Sequence, residues 1–446
     1  FKWEFIFIFK EVHQYISNDV IIKLSLLNKY LREKLKSRVF NRILINGYNL
    51  SHLENSFESN RYGFENIPKR NLETMLNFKS TNIDPFVTGI IKVLNPLAEY
   101  FESITYFNLD RLGYYVIPIT LNFSSLSNLN IGVCCLDVKD LNRLMRKLDK
   151  LQKLTLFQLD LIKSPDEELN EHEIKFSPTL KELYLGHNYV SSNNLPNAPY
   201  EFLVKYSGSI DRREFYLTPQ HLPNLEKFEL IGVIEDSCYI TNLLTLTPKL
   251  SNLILPIQNY SIRVMEVLSE NSDINQLNLK FNFQDKLFLL DKKLPVLNSL
   301  HDLILTFIIR PDQYLQIYQL IEAFPNLTKL ELELEYFEFE FIAKLLSKLT
   351  KLKVLKLQIF AYYNYIIDLT LFSEVEFLKF DNYSKSKTIY KLPDANGKLK
   401  TAILPLKNRN NNYKVELVNE LDKINANWVF SLRGNVIHCR SASIKQ

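Results

Sequence analysis

Glycine is scarce in this chain, 10 residues in 446, and so are cysteine (4), methionine (3) and tryptophan (2). So few glycines leave no loop able to cradle a phosphate, and no Gly-x-Ser-x-Gly nucleophile turn occurs. Cys134, Cys135, Cys238 and Cys439 include no Cys-x-x-Cys pair. His438 beside Cys439 lacks the second pair that would complete a zinc site, so buried, reduced thiols are expected. The histidines at 13, 52, 172, 187, 221, 301 and 438 show no metal-ligand spacing. No cofactor, metal or enzymatic activity is expected. Long apolar runs are missing as well: none approaches the roughly 20 residues of a membrane span. Phe5 to Phe9 is apolar but too short for a signal segment, and Lys10 and Glu11 end it. An excess of one charge is the last absence. Lys and Arg number 54 against 50 Asp and Glu, so neither nucleic acid nor a membrane is expected as a partner. A reducing compartment, cytoplasm or nucleus, fits these absences, and the sequons at Asn122, Asn259, Asn326 and Asn382 fit chance in an Asn-rich chain.

What the chain has instead is a phrase. Leu300, Leu303 and Leu305 stand at positions one, four and six of it, as do Leu327, Leu330 and Leu332, then Leu352, Leu355 and Leu357, then Val375, Leu378 and Phe380. The steps between these copies are 27, 25 and 23 residues. Copies also begin at Ile274, Leu250, Leu225, Leu180, Leu151 and Leu126. A weaker one reads Ile104, Phe107, Leu109, and a last candidate reads Leu399, Ala402, Leu404. Positions four and six alternate with polar residues, which makes a short strand with one buried face. One such strand cannot bury its apolar side alone, whereas a stack can. A period of this length with this pattern resembles the leucine-rich repeat. Asn188, three residues past a strand, is expected to bond backbone where the strand turns away. Helical spacing over 90–97, 137–150, 314–324 and 339–349 supplies the other half of each repeat. Pro178, Pro223, Pro248 and Pro325 each stand two residues before a first leucine, where proline stops the preceding helix. The expected fold is an α/β solenoid over 101–405, an arc or horseshoe with parallel strands on the concave face and helices on the convex one.

Side chains between the buried ones point to the concave side. Candidate partner-binding residues there are Tyr184, Glu229, Ile254, Asn278, Ile304, Glu331, Lys356 and Lys379, in a middle column that starts at Asn108, with Phe157 and Phe377 on its flank. Tyr184, Ile254 and Ile304 are its apolar members and the expected anchors. Mixed polar and apolar character suits an unknown protein partner rather than one small ligand. Glu331, Glu333 and Glu335 share a face and make an acidic stripe, while Glu167, Glu168, Glu171 and Glu173 read as a solvated acidic cluster. From Leu180 to Leu225 is 45 residues, nearly twice the period, which is either a decayed repeat with a long loop at 191–199 or a loop that touches a partner.

The first 45 residues do not follow the phrase. Ile6, Phe9, Val12, Tyr15 and Ile16 recur at helical spacing. Ser17, Asn18 and Asp19 break that helix and can cap a second one carrying Ile22, Leu24, Leu26, Leu27 and Leu31. A third piece over 35–40 leads to a strand-like stretch from Arg42 to Ile45. The stretch from Tyr15 to Arg32, closed by the aromatic Phe40, resembles an F-box, although Trp3 and Glu4 stand near the place of that family's opening Leu-Pro. The resemblance implies a three-helix module that docks on the Skp-type adaptor of a cullin ubiquitin ligase while the repeats choose a substrate. Phe9, Val12, Tyr15 and Ile16, with Leu27, would then face the adaptor. The alternative is a helical cap on a repeat scaffold with no ligase link. The expected organisation is a helical module over 1–45, linking or degenerate repeats over 46–100 (around Leu50 and Leu72), the solenoid over 101–405, and a carboxy-terminal cap over 406–446.

Overall fold

The structure is a computed structural model. It describes residues 16–47, 80–81, 84–110, 112–163, 174–192, 212–216, 218–234, 236, 238–271, 273–280, 294–361, 366–382, 389–394, 397–405, 411–434 and 436–442. The chain forms two compact units, Phe1–Gly232 and Val233–Gln446.

In the first unit, helices α1 (Asn18–Leu27) and α2 (Lys29–Val39) come first. The expected single helix through Leu31 is broken at Asn28, whose extended backbone caps α2 and whose side chain accepts the N–H of Leu31 at 2.8 Å. Ile21, Leu31 and Leu35 make the small core between the two helices. Then β1 (Arg42–Asn46), α3 (Asp84–Leu94), β2 (Ser103–Asp110), β3 (Asn128–Asp137), α4 (Val138–Lys147), β4 (Lys153–Lys163), β5 (Glu182–Gly186), β6 (Tyr189–Ser192), β7 (Arg212–Glu214) and β8 (Lys227–Ile231) follow. Strands β1, β2, β3, β4, β5 and β8 pair in that order, all parallel. Helix α4 starts at Asp137, which accepts the N–H of Lys139 at 2.7 Å, and it buries Leu141, Leu144 and Met145.

The repeats are locked by a recurring backbone contact. Between paired strands of the ladder, the carbonyl of position two accepts two N–H groups of the next repeat: Glu102 from Ser127 (2.9 Å) and Asn128 (3.0 Å), Lys181 from Glu226 (2.8 Å) and Lys227 (2.9 Å). The second example spans the 45-residue step, so β5 and β8 are direct neighbours across it. Residues 193–211 of that step, the acidic cluster and both degenerate-repeat candidates, within 48–79, lie outside the described residues.

Two registers differ from expectation. Ile104 pairs with Leu129 and Tyr106 with Ile131, so the weak first copy is Phe101, Ile104, Tyr106 and not Ile104, Phe107, Leu109. Phe101, Ile104 and Tyr106 are fully buried, and the Tyr106 hydroxyl shares a hydrogen bond of 2.7 Å with Thr120. Thr105 therefore takes the middle place of that copy, and Asn108 is not a member of the column. Ile43 pairs with Ile104 and Ile45 with Tyr106, which makes Phe40, Ile43, Ile45 an earlier copy. The helical module thus runs directly into the parallel sheet, where β1 pairs with β2.

Past position six the first unit does something the leucines do not announce. Asn108, Val133, Gln158, His187 and Gly232 all occupy position eight, and all have φ between 49° and 104°. A left-handed residue breaks the alternation, and after four of the five the next side chain turns inward: Leu109, Cys134, Leu159 and Asn188 are buried, whereas Val233 after Gly232 is exposed. Asn188 then does what its placement predicts. Its amide donates to the Leu156 carbonyl at 3.0 Å and its oxygen accepts the Leu159 N–H at 3.1 Å.

The second unit comprises α5 (Tyr239–Leu246), β9 (Asn252–Pro256), α6 (Ile262–Glu270), β10 (Gln276–Lys280), β11 (Asp302–Ile309), α7 (Tyr314–Glu322), β12 (Lys329–Tyr336), α8 (Phe339–Lys348), β13 (Val354–Ala361), β14 (Ile366–Asp368), β15 (Phe377–Asn382), β16 (Ile389–Lys391), β17 (Thr401–Pro405), α9 (Asn411–Ile424), β18 (Trp428–Arg433) and β19 (Val436–Ser441). Strands β9, β10, β11, β12, β13, β15 and β17 pair in order, all parallel. Here the alternation of burial continues, and Ile257, Phe307, Leu334 and Ile359 at position eight are buried, although the β11–β12 pairing shifts register between Leu305 and Ile308. Beyond β17 the direction reverses: β19 runs antiparallel to β17, and β18 antiparallel to β19. Asn425, buried, ties this end down. It accepts the Leu392 N–H at 2.7 Å and donates to the Tyr390 carbonyl at 3.1 Å, while the Trp428 indole donates to the Pro393 carbonyl at 2.8 Å.

Candidate functional site

Each strand shows positions three, five and seven on the face opposite its buried residues, and in-register pairing lines these positions into columns. In the first unit position five reads Leu44, Thr105, Asn130, Thr155, Tyr184 and Glu229, and position seven reads Asn46, Phe107, Gly132, Phe157, Gly186 and Ile231. Aromatic and glycine alternate along that second column for a steric reason. A Cβ on Gly132 would come within 3.1 Å of the Phe107 ring, and one on Gly186 within 3.0 Å of the Phe157 ring. The rings lie across the glycines. Phe157 also meets the rings of Tyr184 and His187 edge-on. Burial, and after it the nearby Glu229 carboxylate, pushes the Tyr184 phenol up to about 12. His187 was not anticipated; the signal available was its place one residue after Gly186, where the repeat turns.

The open face of the second unit is charged. Lys329 pairs with Asp302 at 2.8 Å, Lys356 with Glu331 at 2.9 Å and Lys379 with Asp381 at 2.9 Å. Such half-exposed pairs contribute about 0–1 kcal/mol each, so they order the surface more than they stabilise the fold. Glu333, in the acidic stripe, has its carboxyl raised by burial first and by Glu331 second. Asn278 accepts the Thr306 hydroxyl at 3.0 Å. Ile304 and Phe377 are half-buried on this face. Ile254 is a correction: expected as an exposed anchor, it is only 7% exposed. Strand alternation placed it on the open face, where Asn278 stands beside it in register on β10.

At the amino-terminal helices, Phe9, Val12 and Tyr15 lie outside the described residues. Ile16 is a second correction. It is half-buried and packs on the Ile21, Leu31 and Leu35 core together with Leu24 and Val39, because its side chain reaches back over the start of α1. Leu27 is 61% exposed, and Val20, Ile22, Leu26 and Tyr30 are exposed beside it. These four were missed, although the α1 wheel would have found Val20, Ile22 and Leu26, which fall off the stripe of Ile21 and Leu24; Tyr30 lies in the first turn of α2.

Among the described residues, no three His, Cys, Asp or Glu side chains gather as a metal site could, and no helix is long and apolar enough to cross a membrane. No family model matches the chain, and no curated protein gives a match. Similar solved structures include an internalin from Listeria monocytogenes, 16% identical, with a TM-score of 0.34 over 69% of this chain and 82% of that one. The mouse RP105/MD-1 complex is 17% identical, with a TM-score of 0.34 over 68% of this chain and 54% of that one. A leucine-rich-repeat protein from Leptospira interrogans is 15% identical, with a TM-score of 0.22 over 65% of this chain and 86% of that one. Likenesses of this grade say nothing about what the face binds.

Proposed function

We propose that this chain is a non-catalytic protein-binding scaffold, and that its amino-terminal helices make it the substrate-recognition subunit of a cullin-type ubiquitin ligase. The observation carrying the ligase half is the apolar surface of α1 and the start of α2. Val20, Ile22, Leu26, Leu27 and Tyr30 are all more than 40% exposed on two helices whose core, among the described residues, has three buried members. Exposed apolar side chains clustered on so small a module support a docking role, and a Skp-type adaptor is the partner that the F-box resemblance implies. The scaffold half rests on the ladder, a long ordered surface of mixed polar, charged and aromatic character without a catalytic constellation among the described residues. One observation favours a second reading, a cap. Helix α2 runs straight into β1, and the Lys36 ammonium lies 5.4 Å over the Tyr100 ring beside the ladder.

Co-expression of the full chain with a Skp adaptor separates the two. The ligase reading expects co-purification that Leu26→Asp with Leu27→Asp abolishes, the melting temperature staying within about 2 °C because both side chains are exposed. No co-purification with wild type, or equal co-purification with the double variant, leaves the capped scaffold.

A further inference from the structure

Phe157 lies along the sheet instead of standing up from it. Its Cδ2 occupies the space a side chain on Gly186 would fill, 3.0 Å from that Cβ position. Tyr184 and His187 flank the glycine in sequence. Their rings are inclined at 65° and 64° to Phe157, with centroids 6.0 Å and 6.3 Å away. The arrangement is a floor with two walls. Glu229 stands in register with Tyr184 on the next strand, and Ile231 in register with Gly186, closing the side toward β8. The carboxylate is near enough to be felt at the Tyr184 hydroxyl. All three rings are half-buried, so each keeps an open side.

Aromatic faces carry negative quadrupole charge, and a cation within about 6 Å of a ring centroid is attracted to it. Three rings at steep angles, with an acid on the rim, make a place where a positive group is favoured and a purely apolar one is not. An alkylammonium suits it better than a planar guanidinium, since walls at about 65° to the floor surround a compact head and obstruct a flat one from stacking. We propose that Phe157, Tyr184 and His187, with Glu229 at the rim, form a receptor for the ammonium of a lysine side chain, methylated or not, on a peptide partner. The proposal rests on the reading of the open face as a protein-binding surface and is independent of the ligase link.

The test uses the purified full chain and three small probes: N-acetyl-lysine methylamide, its trimethylated form, and the neutral norleucine analogue, followed by saturation-transfer NMR. Either cation should bind, with the norleucine analogue at least about fivefold weaker. Glu229→Gln and Tyr184→Leu should each weaken the cation by about fivefold, and Glu229→Gln removes a surface charge without touching the core, so its fold is preserved if Tyr184→Leu fails to fold. Binding of norleucine as tight as the cations, no cation binding by wild type, or cation binding unaltered in Glu229→Gln overturns the proposal. Failure of the scaffold reading looks different: the probes bind as expected, but a lysine-bearing peptide gains nothing over the free amino-acid derivative.

Discussion

The two units carry the same leucines and leave the strand differently. Through position six they match, with Leu154 and Leu156 in one standing where Leu355 and Leu357 stand in the other. At position eight the first unit places a left-handed residue and buries position nine, whereas the second keeps alternating and buries position eight itself. A left-handed L-residue costs roughly 1–2 kcal/mol, and Val133, β-branched, is among the least suited to it. The first unit offsets that cost at the buried residue it gains, Asn188 bonding two backbone groups across the neighbouring strand. One sequence period therefore admits two backbone solutions, and the identity of residues eight and nine selects between them.

The sharpest way to break this comparison is one substitution at the same position of both units. Leu334→Asn should cost about 4 kcal/mol or more, because it empties a buried site and leaves an amide without partners. Val133→Asn should gain about 1 kcal/mol, since asparagine tolerates the left-handed region. Urea unfolding reads both, and a loss from both variants would mean that position eight is packed alike in the two units. Next in size, Asn188→Ala should cost about 2 kcal/mol by orphaning the Leu156 carbonyl and the Leu159 N–H. Hydrogen exchange should then speed up at Leu159 and not at Leu392, which Asn425 holds in the other unit; equal acceleration at both would show that the units unfold as one. The smallest effect concerns Glu333. Its folded carboxyl titrates above the unfolded value, so the fold is favoured with Glu333 protonated, and that advantage is full below the unfolded pKa and lost as pH rises through the folded one. Glu333→Gln should therefore stabilise slightly at pH 7 and be neutral near pH 3; a stabilisation that grows on acidification would reverse the sign.

Leucine periodicity made the parallel ladder legible from Leu126 onward, together with the Asn188 bridge and helices such as α4. It failed where the apolar residues were too many or too few. In 101–109, apolar residues stand at 101, 104, 106, 107 and 109, so two registers three residues apart both satisfy the phrase, and only pairing with Leu129 decides. Phe40, Ile43 and Ile45 were absorbed into the helical module because no second copy follows at the usual step. The left-handed column was hidden, since of Asn108, Val133, Gln158, His187 and Gly232 only asparagine and glycine advertise positive φ. At the candidate site the columns could be read from alternation, but cover could not. Ile254 and Ile304 look equivalent in sequence, and only one of them is buried.

The reversal at β19 has a consequence for growth. A parallel ladder offers at its last strand the same donors and acceptors it offered at every earlier one, so each repeat could template another, from its own chain or from a second molecule. Strand β19 occupies that edge of β17 running the other way, with β18 beyond it, and the Trp428 indole and Asn425 amide anchor the pair to the ladder's last turns. The array is therefore lengthened from within and not by addition at this edge. Duplicating a repeat of 25 residues between β12 and β13 would leave the stopper in place, and with it the barrier against fibre formation through that edge.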